Sequence, residues 1–408
     1  MPSAPIAITG IGITAPGASS PAQLWDNLEA KRSPAELWEG GRTLAVCPVT
    51  ESLETPGLAL PRRGHRPDRM IRLALMAASR AWNDAGLGGN PGIPPSRIAV
   101  VAGSSRGPVS KLEQAIAGTS AGARKLPPSL ASDSMLGSLH GTLAYVFGTL
   151  GPAYSVSAAC SSGGHAIALA ADHIASGSAD LAIAGASDAS LAAAIINQFL
   201  STGILDPSLP PAPVCRPYDV QARGAVLGEA AAFLILESME SARARGAFIH
   251  GHLCGWAMAA DGRAASAESA GSTALVSASA LALGKAGLAG DALGYINTHG
   301  TATRVSDAME MGWIRGLDAA RTFPVPFSST KPVTGHCLGA TSALEAVVCL
   351  ETLRRRRIPP TTNCLEPHPH APGGLVTMAG QALEGDHVLS VSLGFWGAAC
   401  ALVFSSKP

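Results

Sequence analysis

The chain has 408 residues, of which 47% are hydrophobic and 14% charged; 46 are glycine and the formal net charge is zero. That balance supplies no global field for nucleic acid or an anionic membrane, and no stretch reaches the roughly eighteen uninterrupted apolar residues of a bilayer span. What remains is a large core with many close backbone approaches, enough for two ordinary domains or one large α/β unit.

The opening "MPSAPIAITGIGITAPG" has no basic leader, and Gly10, Gly12 and Pro16 break its apolar run. It reads as a first strand rather than a signal peptide, and a cytoplasmic protein is expected. Pro21 to Lys31 reads as a helix, and "DRMIRLALMAASRAWNDAGL" has helical periodicity ending at Gly86. "RIAVVAGSS" is an unbroken apolar strand, as in a sheet buried on both faces. "LGSLHGTLAYVFG" predicts a helix, "AYSVSAA" a strand, the residues after Cys160 a helix, "LAIAGAS" and "AAFLILES" strands, and "ESARARG" a short helix. The second half repeats the plan with strand "AFIHGHLCGWAMAAD", helix Ser272 to Ala286, strand "ALGYINTHG" and helix "DAMEMGWIRGL". Strand "VPFSSTK", helix "GATSALEAVVCLETLRRRR" and the closing strands of "HVLSVSLGFWGAACALVF" follow.

In each half a strand runs into a small-residue junction and then a helix apolar nearly all round: "SAACSSGG" first, "SSTKPVTGHCLGA" second. Helices apolar on every side are buried on every side. The two belong in the middle of a layered molecule, and their junctions meet near its centre.

The eight cysteines stand at 47, 160, 215, 254, 337, 349, 364 and 400, with no Cys-x-x-Cys and no zinc spacing, so no metal is expected. Cys160 differs from the rest because it sits where a helix starts. Free amide hydrogens and the helix dipole there favour a thiolate and should lower the thiol pKa. His299 ends an apolar strand, His336 sits near the start of the second buried helix, and Lys331 just precedes it. Glu345 falls inside that helix and needs a partner, for which Lys331 is the candidate, because an unpaired buried charge is too costly. "GIGITAPG" lacks the third glycine of a dinucleotide fingerprint; no Walker loop, Gly-x-Ser-x-Gly or kinase set is present.

"SVSAACSSG", "NTHGTAT…D…E" and "SSTKPVTGHCLGATSALE" together resemble the signature segments of the β-ketoacyl-acyl carrier protein synthases, most closely the elongating Cys-His-His type. The resemblance covers essentially the whole chain. It implies the thiolase fold, an α/β architecture of duplicated halves in a five-layer αβαβα stack, here residues 1–248 with the nucleophile and 249–408 with both histidines. It implies that Cys160 holds the acyl chain and that the amides of Cys160 and Phe395 form the oxyanion hole. His299 and His336 would bind the malonyl thioester carbonyl, while Lys331 with Glu345 would position His336 and tune its field. Thr301 and Thr303 would hold the phosphopantetheine arm of acyl carrier protein, Phe199 would line the acyl pocket, and no metal or bound cofactor is needed. Arg62, Arg63, Arg66, Arg69 and Arg72, with Arg124 and Lys125, match places where such enzymes dock their acidic carrier. The strand around "AYSVSAAC" would pair across a two-fold axis, giving a homodimer or a heterodimer with a ketosynthase-like subunit.

The chain departs from the family in its closing loop, "GFWGAA", where Trp396 replaces a glycine and Ala399 an asparagine. Trp396 should stiffen the gate around Phe395 or line the pocket. Arg106 replaces an apolar tunnel residue; it points elsewhere, shortens the tunnel, or meets a polar chain end. The segment after Asp261 lacks the loop of fatty acid enzymes, which favours a specialised polyketide or fatty acid-like pathway. Two alternatives are a non-elongating, chain-length-factor-like partner subunit and an acyltransferase on the same fold; retention of Cys160, His299, His336 and Lys331 argues against the first.

Overall fold

Strand β1 (Ile6–Thr14), a run of small and β-branched residues, is buried along its whole length. In the first half it is followed by β2 (Ile98–Gly103), β3 (Ala153–Val156), β4 (Leu181–Asp188) and β5 (Ala230–Glu237). The second half supplies β6 (Gly251–Ala260), β7 (Leu293–Asn297), β8 (Phe327–Ser328), β9 (His387–Leu393) and β10 (Ala398–Ser405). The computed structural model describes residues 4–38, 43–54, 58, 60, 67–89, 92–122, 125–210, 213–262, 267–319, 321–377 and 379–408.

These strands form one sheet in the order β8-β7-β9-β10-β6-β1-β5-β4-β2-β3. Numbered from its own first strand, each half reads 3-2-4-5-1. The directions repeat as well. In the first half β5 runs antiparallel to both β1 and β4, while β4, β2 and β3 are mutually parallel. In the second, β10 runs antiparallel to β6 and β9, while β9, β7 and β8 are parallel. The halves join edge to edge through three antiparallel residue pairs, Ile6 with Leu253, Ala7 with His252 and Ile8 with Gly251. The outer edge of β3 has no strand beside it among the described residues.

Seven helices complete the frame: α1 (Arg69–Asp84), α2 (Gly137–Phe147), α3 (Ser162–Ala175), α4 (Ala193–Thr202), α5 (Ala267–Ala286), α6 (Arg304–Asp318) and α7 (Thr341–Arg355). α1 and α2 cover the outer face of the first half and α5 and α6 that of the second, with α3 and α7 packed between them. This is the five-layer αβαβα stack of the thiolase fold. The middle layer is the driest: Thr341 to Leu353 are buried without interruption, and most of α3 is buried with them. Each fully buried leucine or valine there contributes about 1.5–3 kcal/mol relative to exposure.

Helices α3 and α7 touch because Gly163 has no side chain. A Cβ there would stand 2.7 Å from the backbone nitrogen of Ala343, closer than real side chains come. Two helices longer than a single turn went unpredicted: α4, which carries Phe199, and Val109–Ser120, none of whose residues is buried. α5 begins at Ala267, earlier than the sequence signals placed it.

Candidate active site

Cys160 follows β3 and precedes α3 by two residues. Ala159 takes the left-handed conformation (φ 49°), a costly state for a residue with a Cβ, and so turns the chain sharply just before the thiol. In the second half His336 occupies the matching junction, after β8 and before α7. Its backbone is clamped at both ends: its N–H donates to Val226 O at 2.6 Å, and its carbonyl accepts from Gly228 at 3.0 Å. The two junctions meet with His336 Nε2 3.1 Å from Cys160 Sγ. His336 Nδ1 lies 3.2 Å from Thr341 Oγ1, the first residue of α7.

His299 leaves the end of β7 and stands edge-on to His336, ring centroids 5.5 Å apart at 85°. Its position is fixed through its backbone. The N–H groups of His299 and Gly300 each donate at 2.7 Å to one oxygen of Glu310, which reaches in from α6. The Tyr218 hydroxyl lies 3.0 Å from Glu310 Oε2 and 2.7 Å from Thr298 Oγ1. Asp307, one turn before Glu310, accepts from the amides of Tyr218 and Ala302. His299 Nδ1 has no hydrogen-bond partner among the described residues, so the ring is held by packing and free to meet a ligand.

Lys331, fully buried, donates to Glu345 Oε1 at 2.5 Å. The resemblance assigned this pair the positioning of His336 and the tuning of the field around it. The His336 Nδ1 partner is Thr341, and Lys331 acts on both histidines through its charge. Burial chiefly, then that charge, drives His299 well below its ordinary value and takes His336 to about 3, so both imidazoles are neutral at physiological pH. Burial pushes Glu345 up to about 7, against the pull of Lys331.

The Cys160 thiol needs a correction. Burial pushes it up to about 12, and the charges of Lys331 and Arg106 recover only part of the loss. A helix start was expected to lower it. Here, however, the amides of Ser161 and Ser162 close turns onto Ala158 and Ala159, and that of Gly164 donates to Ser342. Asp188 adds an opposing charge; its carboxylate, itself raised to about 6 by burial, ties down Ser104 Oγ and the amides of Ser105 and Arg106. The resting nucleophile is a thiol.

A cavity of about 60 Å³ opens between Cys160, His299 and His336, closed by Phe199, Phe395 and Met309. The Phe199 and Phe395 rings stack at 6.1 Å. Gly394 brings the Phe395 loop against the nucleophile turn, since a Cβ there would lie 2.5 Å from Ala158 O and 3.3 Å from Cys160 N. Thr301 and Thr303 line the same cavity, their hydroxyls 2.9 Å apart. Through Ile204 and Thr303 it adjoins an outer vestibule of about 640 Å³ walled by Leu200, Asp206, Arg223 and Arg304.

Other assigned residues lie apart. Trp396 adopts φ 65° and is 72% exposed, so it does not line the pocket. Arg106 is exposed, its guanidinium 5.1 Å from the Phe199 ring centroid. Arg69 is engaged by the buried carboxylate of Glu229 and by Val49 O, which leaves little of it for a partner. Lys125 is exposed, whereas Arg62, Arg63, Arg66 and Arg124 lie outside the described residues. Sequence reasoning passed over Thr341, Asp188 and Tyr218, and Asp307 and Glu310 entered only as the D and E of a segment carrying the resemblance, with no role given. The i, i+3 spacing of Asp307 and Glu310 on an otherwise apolar helix face was the available signal for that part of the network.

Residues 56–242 match the family described as "Beta-ketoacyl synthase, N-terminal domain", and residues 250–365 match "Beta-ketoacyl synthase, C-terminal domain". The chain is 33% identical to a "Putative polyketide beta-ketoacyl synthase 1" of Streptomyces cyaneus, over 98% of this chain and 97% of that one. Among solved structures it is similar to the ishigamide ketosynthase/chain length factor, with a TM-score of 0.91, 27% identity and 100% of both chains covered. It is similar also to a type II polyketide ketosynthase in complex with its acyl-carrier protein and bound to the hexaketide, with a TM-score of 0.89, 25% identity and 100% of both chains covered.

Proposed function

This chain belongs to the β-ketoacyl synthase family, and from that premise we propose that it joins an acyl group held on Cys160 to a two-carbon unit from malonyl-acyl carrier protein. The observation that carries the reading is the 3.1 Å approach of His336 Nε2 to Cys160 Sγ, with a second neutral imidazole beside it. As sulfur attacks the acyl thioester, His336 Nε2 takes the thiol proton and passes it to the departing carrier thiol, leaving acyl-Cys160. The His336 proton then shifts from Nδ1 to Nε2, so that both rings present an N–H, and the malonyl thioester enters with its carbonyl oxygen toward His299 and His336. Carbon dioxide leaves, and the electron pair of the broken bond becomes an enolate held by hydrogen bonds from the two rings.

That carbanion attacks the acyl-Cys carbonyl, whose oxyanion faces the amides of Cys160 and Phe395. The attack forms the carbon–carbon bond, and collapse of the tetrahedral intermediate breaks the carbon–sulfur bond, expels the Cys160 thiolate and releases 3-oxoacyl-acyl carrier protein; solvent returns the proton to sulfur. Neutral histidines suit this sequence, because an imidazolium would donate its proton to the enolate and quench it.

The outer vestibule is the entrance for the phosphopantetheine arm, with Thr301 and Thr303 at the narrowing. Beyond that arm no metal or organic cofactor is required. Described helices include none long and apolar enough to cross a membrane, and all eight cysteines are free, which suits a reducing cytoplasm. The unpaired edge of β3 supports pairing with a second subunit, either a copy of this chain or a ketosynthase-like partner. The specialised pathway rests on the polyketide relatives. The retained Cys160–His336 contact favours a condensing enzyme over a non-elongating subunit.

The test is to incubate the purified protein with acyl- and malonyl-acyl carrier protein and weigh the carrier. Formation of 3-oxoacyl carrier with loss of carbon dioxide, abolished by Cys160→Ala, is expected. Acyl exchange without decarboxylation would establish the acyltransferase reading instead.

A further inference from the structure

The acyl pocket stops early. The cavity of about 60 Å³ beside Cys160 is closed by the stacked pair Phe199 and Phe395, so a long chain must displace them. Phe199 is 3% exposed, and the Arg106 guanidinium lies over its ring, 5.1 Å from the centroid.

Arg106 is held at that place. Its amide donates to Asp188 Oδ1, and the same carboxylate fixes Ser104 and Ser105 on either side of the turn leaving β2. Its charge faces solvent and is paired with no carboxylate among the described residues. The side chain makes one long hydrogen bond, 3.3 Å to Gln198 Oε1, and no ion pair among the described residues. Asp188 spends its oxygens on the turn, and Glu113 accepts the amide of Ala194. A cation this close to an apolar pocket, with a face on an aromatic ring and no carboxylate, is placed for an anionic or oxygen-rich group arriving from the pocket.

We propose that Arg106 reads the distal end of the acyl chain, and that the substrates are acyl groups carrying a carboxylate or keto oxygen there rather than plain alkyl chains. Phe199 swings aside to admit the chain, and its end group reaches the guanidinium. The proposal rests on the condensing reading above and names the substrate class of that same site. An aliphatic end would gain nothing from the cation behind the Phe199 ring. An oxygenated end of suitable length binds it.

The experiment compares acyl carriers of one length that differ only at the far end, such as butyryl, 3-oxobutyryl and succinyl, with Cys160 acylation followed by intact mass. The native protein should favour the oxygenated donors by about 10- to 100-fold in the acylation rate constant over KM, on the scale by which a site that hydrogen-bonds a group rejects analogues lacking it, reduced for the exposure of Arg106. Arg106→Met should lose most of that ratio, with any slowing from the lost charge near Cys160 shared equally by all three donors, and Arg106→Lys should retain part of it. Equal rates for all donors, or a ratio unchanged by Arg106→Met, overturns the proposal and leaves the condensing reading intact. If sedimentation shows that Arg106→Met dissociates an oligomer while the ratio persists, Arg106 serves a subunit contact and the proposal fails. Absence of acylation by every donor overturns both readings.

Discussion

Replacing Lys331 by Met should make stability and catalysis depend on pH in a way the native protein's do not. Native Lys331 and Glu345 are both buried and 2.5 Å apart, so removing the cation strands a carboxylate, a change that typically costs about 3–5 kcal/mol. Glu345 can lower that cost by taking a proton. Its folded-state pKa already stands at about 7 against 4.5 for an ordinary glutamate, and losing the Lys331 charge moves it higher still. A folded pKa raised above the unfolded one means that the folded state binds the proton more tightly. Stability is therefore fullest at low pH and falls by about 1.4 kcal/mol per pH unit until the folded pKa is passed. In the native protein that window closes near pH 7. In Lys331→Met it extends beyond, so between pH 7 and 9 the variant should lose up to about 2.7 kcal/mol more than the native protein.

Denaturant unfolding at several pH values, followed by fluorescence and circular dichroism together, measures this. Lys331→Met/Glu345→Leu removes both charges and should recover most of the loss, with a flat pH response. A kinetic arm runs in parallel: Lys331 holds both histidines low, so its removal should raise their pKa values and move the acid limb of condensation upward. A double variant no more stable than Lys331→Met, or a single variant with the native pH slope, would refute the reasoning.

Three further outcomes are expected. Thr341→Val should lower the condensation kcat by about 10- to 100-fold, the scale of a misplaced general base, with KM for the carrier nearly unchanged and Thr341→Ser restoring activity. Alkylation of Cys160 by iodoacetamide should accelerate about tenfold per pH unit through pH 7 to 9, because a thiol near 12 gains thiolate as pH rises; a plateau below pH 8 would show a preformed thiolate. Trp396→Gly should keep stability within about 1 kcal/mol of native, or raise it slightly, since the exposed indole has little packing to lose and glycine relieves the left-handed backbone. A thermal-unfolding loss several times larger would mean that the indole is buried in the working assembly.

Periodicity carried the two central helices into view because they are apolar on every face, and only a middle layer has such helices. The repeat of strand, small-residue junction and buried helix likewise placed Cys160 and His336 near one another before any coordinates. What sequence could not supply was the consequence of depth. The position of Cys160 before a helix suggested a lowered pKa, but burial outweighs a dipole whose first amides are already bonded elsewhere. Helix α4 went unseen because its apolar face, Ile195, Ile196 and Phe199, is short and lies in a loop-like stretch between β4 and β5. Thr341 could not be singled out, since a threonine at a helix start is ordinarily a cap. Its contact with His336 depends on the turn that brings the ring back over it. Trp396, standing where the resemblance puts a glycine, was expected to stiffen the gate or line the pocket; the left-handed turn sends the indole outward, which excludes the second.

The bare Cα of Gly163 makes the gap between the two halves a spacer of fixed width. Cys160 hangs from one side of that gap and His336 from the other, each rooted a few residues from the point where α3 meets Ala343. The reactive distance is thus set where the helices touch, by atoms that take no part in the reaction. A single methyl inserted at Gly163 acts on sulfur and nitrogen together as a wedge, lengthening their separation while leaving both side chains and the pocket lining chemically as they were. Neither half can tune its own reactive group in isolation, so the chemistry measures how well the two repeats are seated on one another.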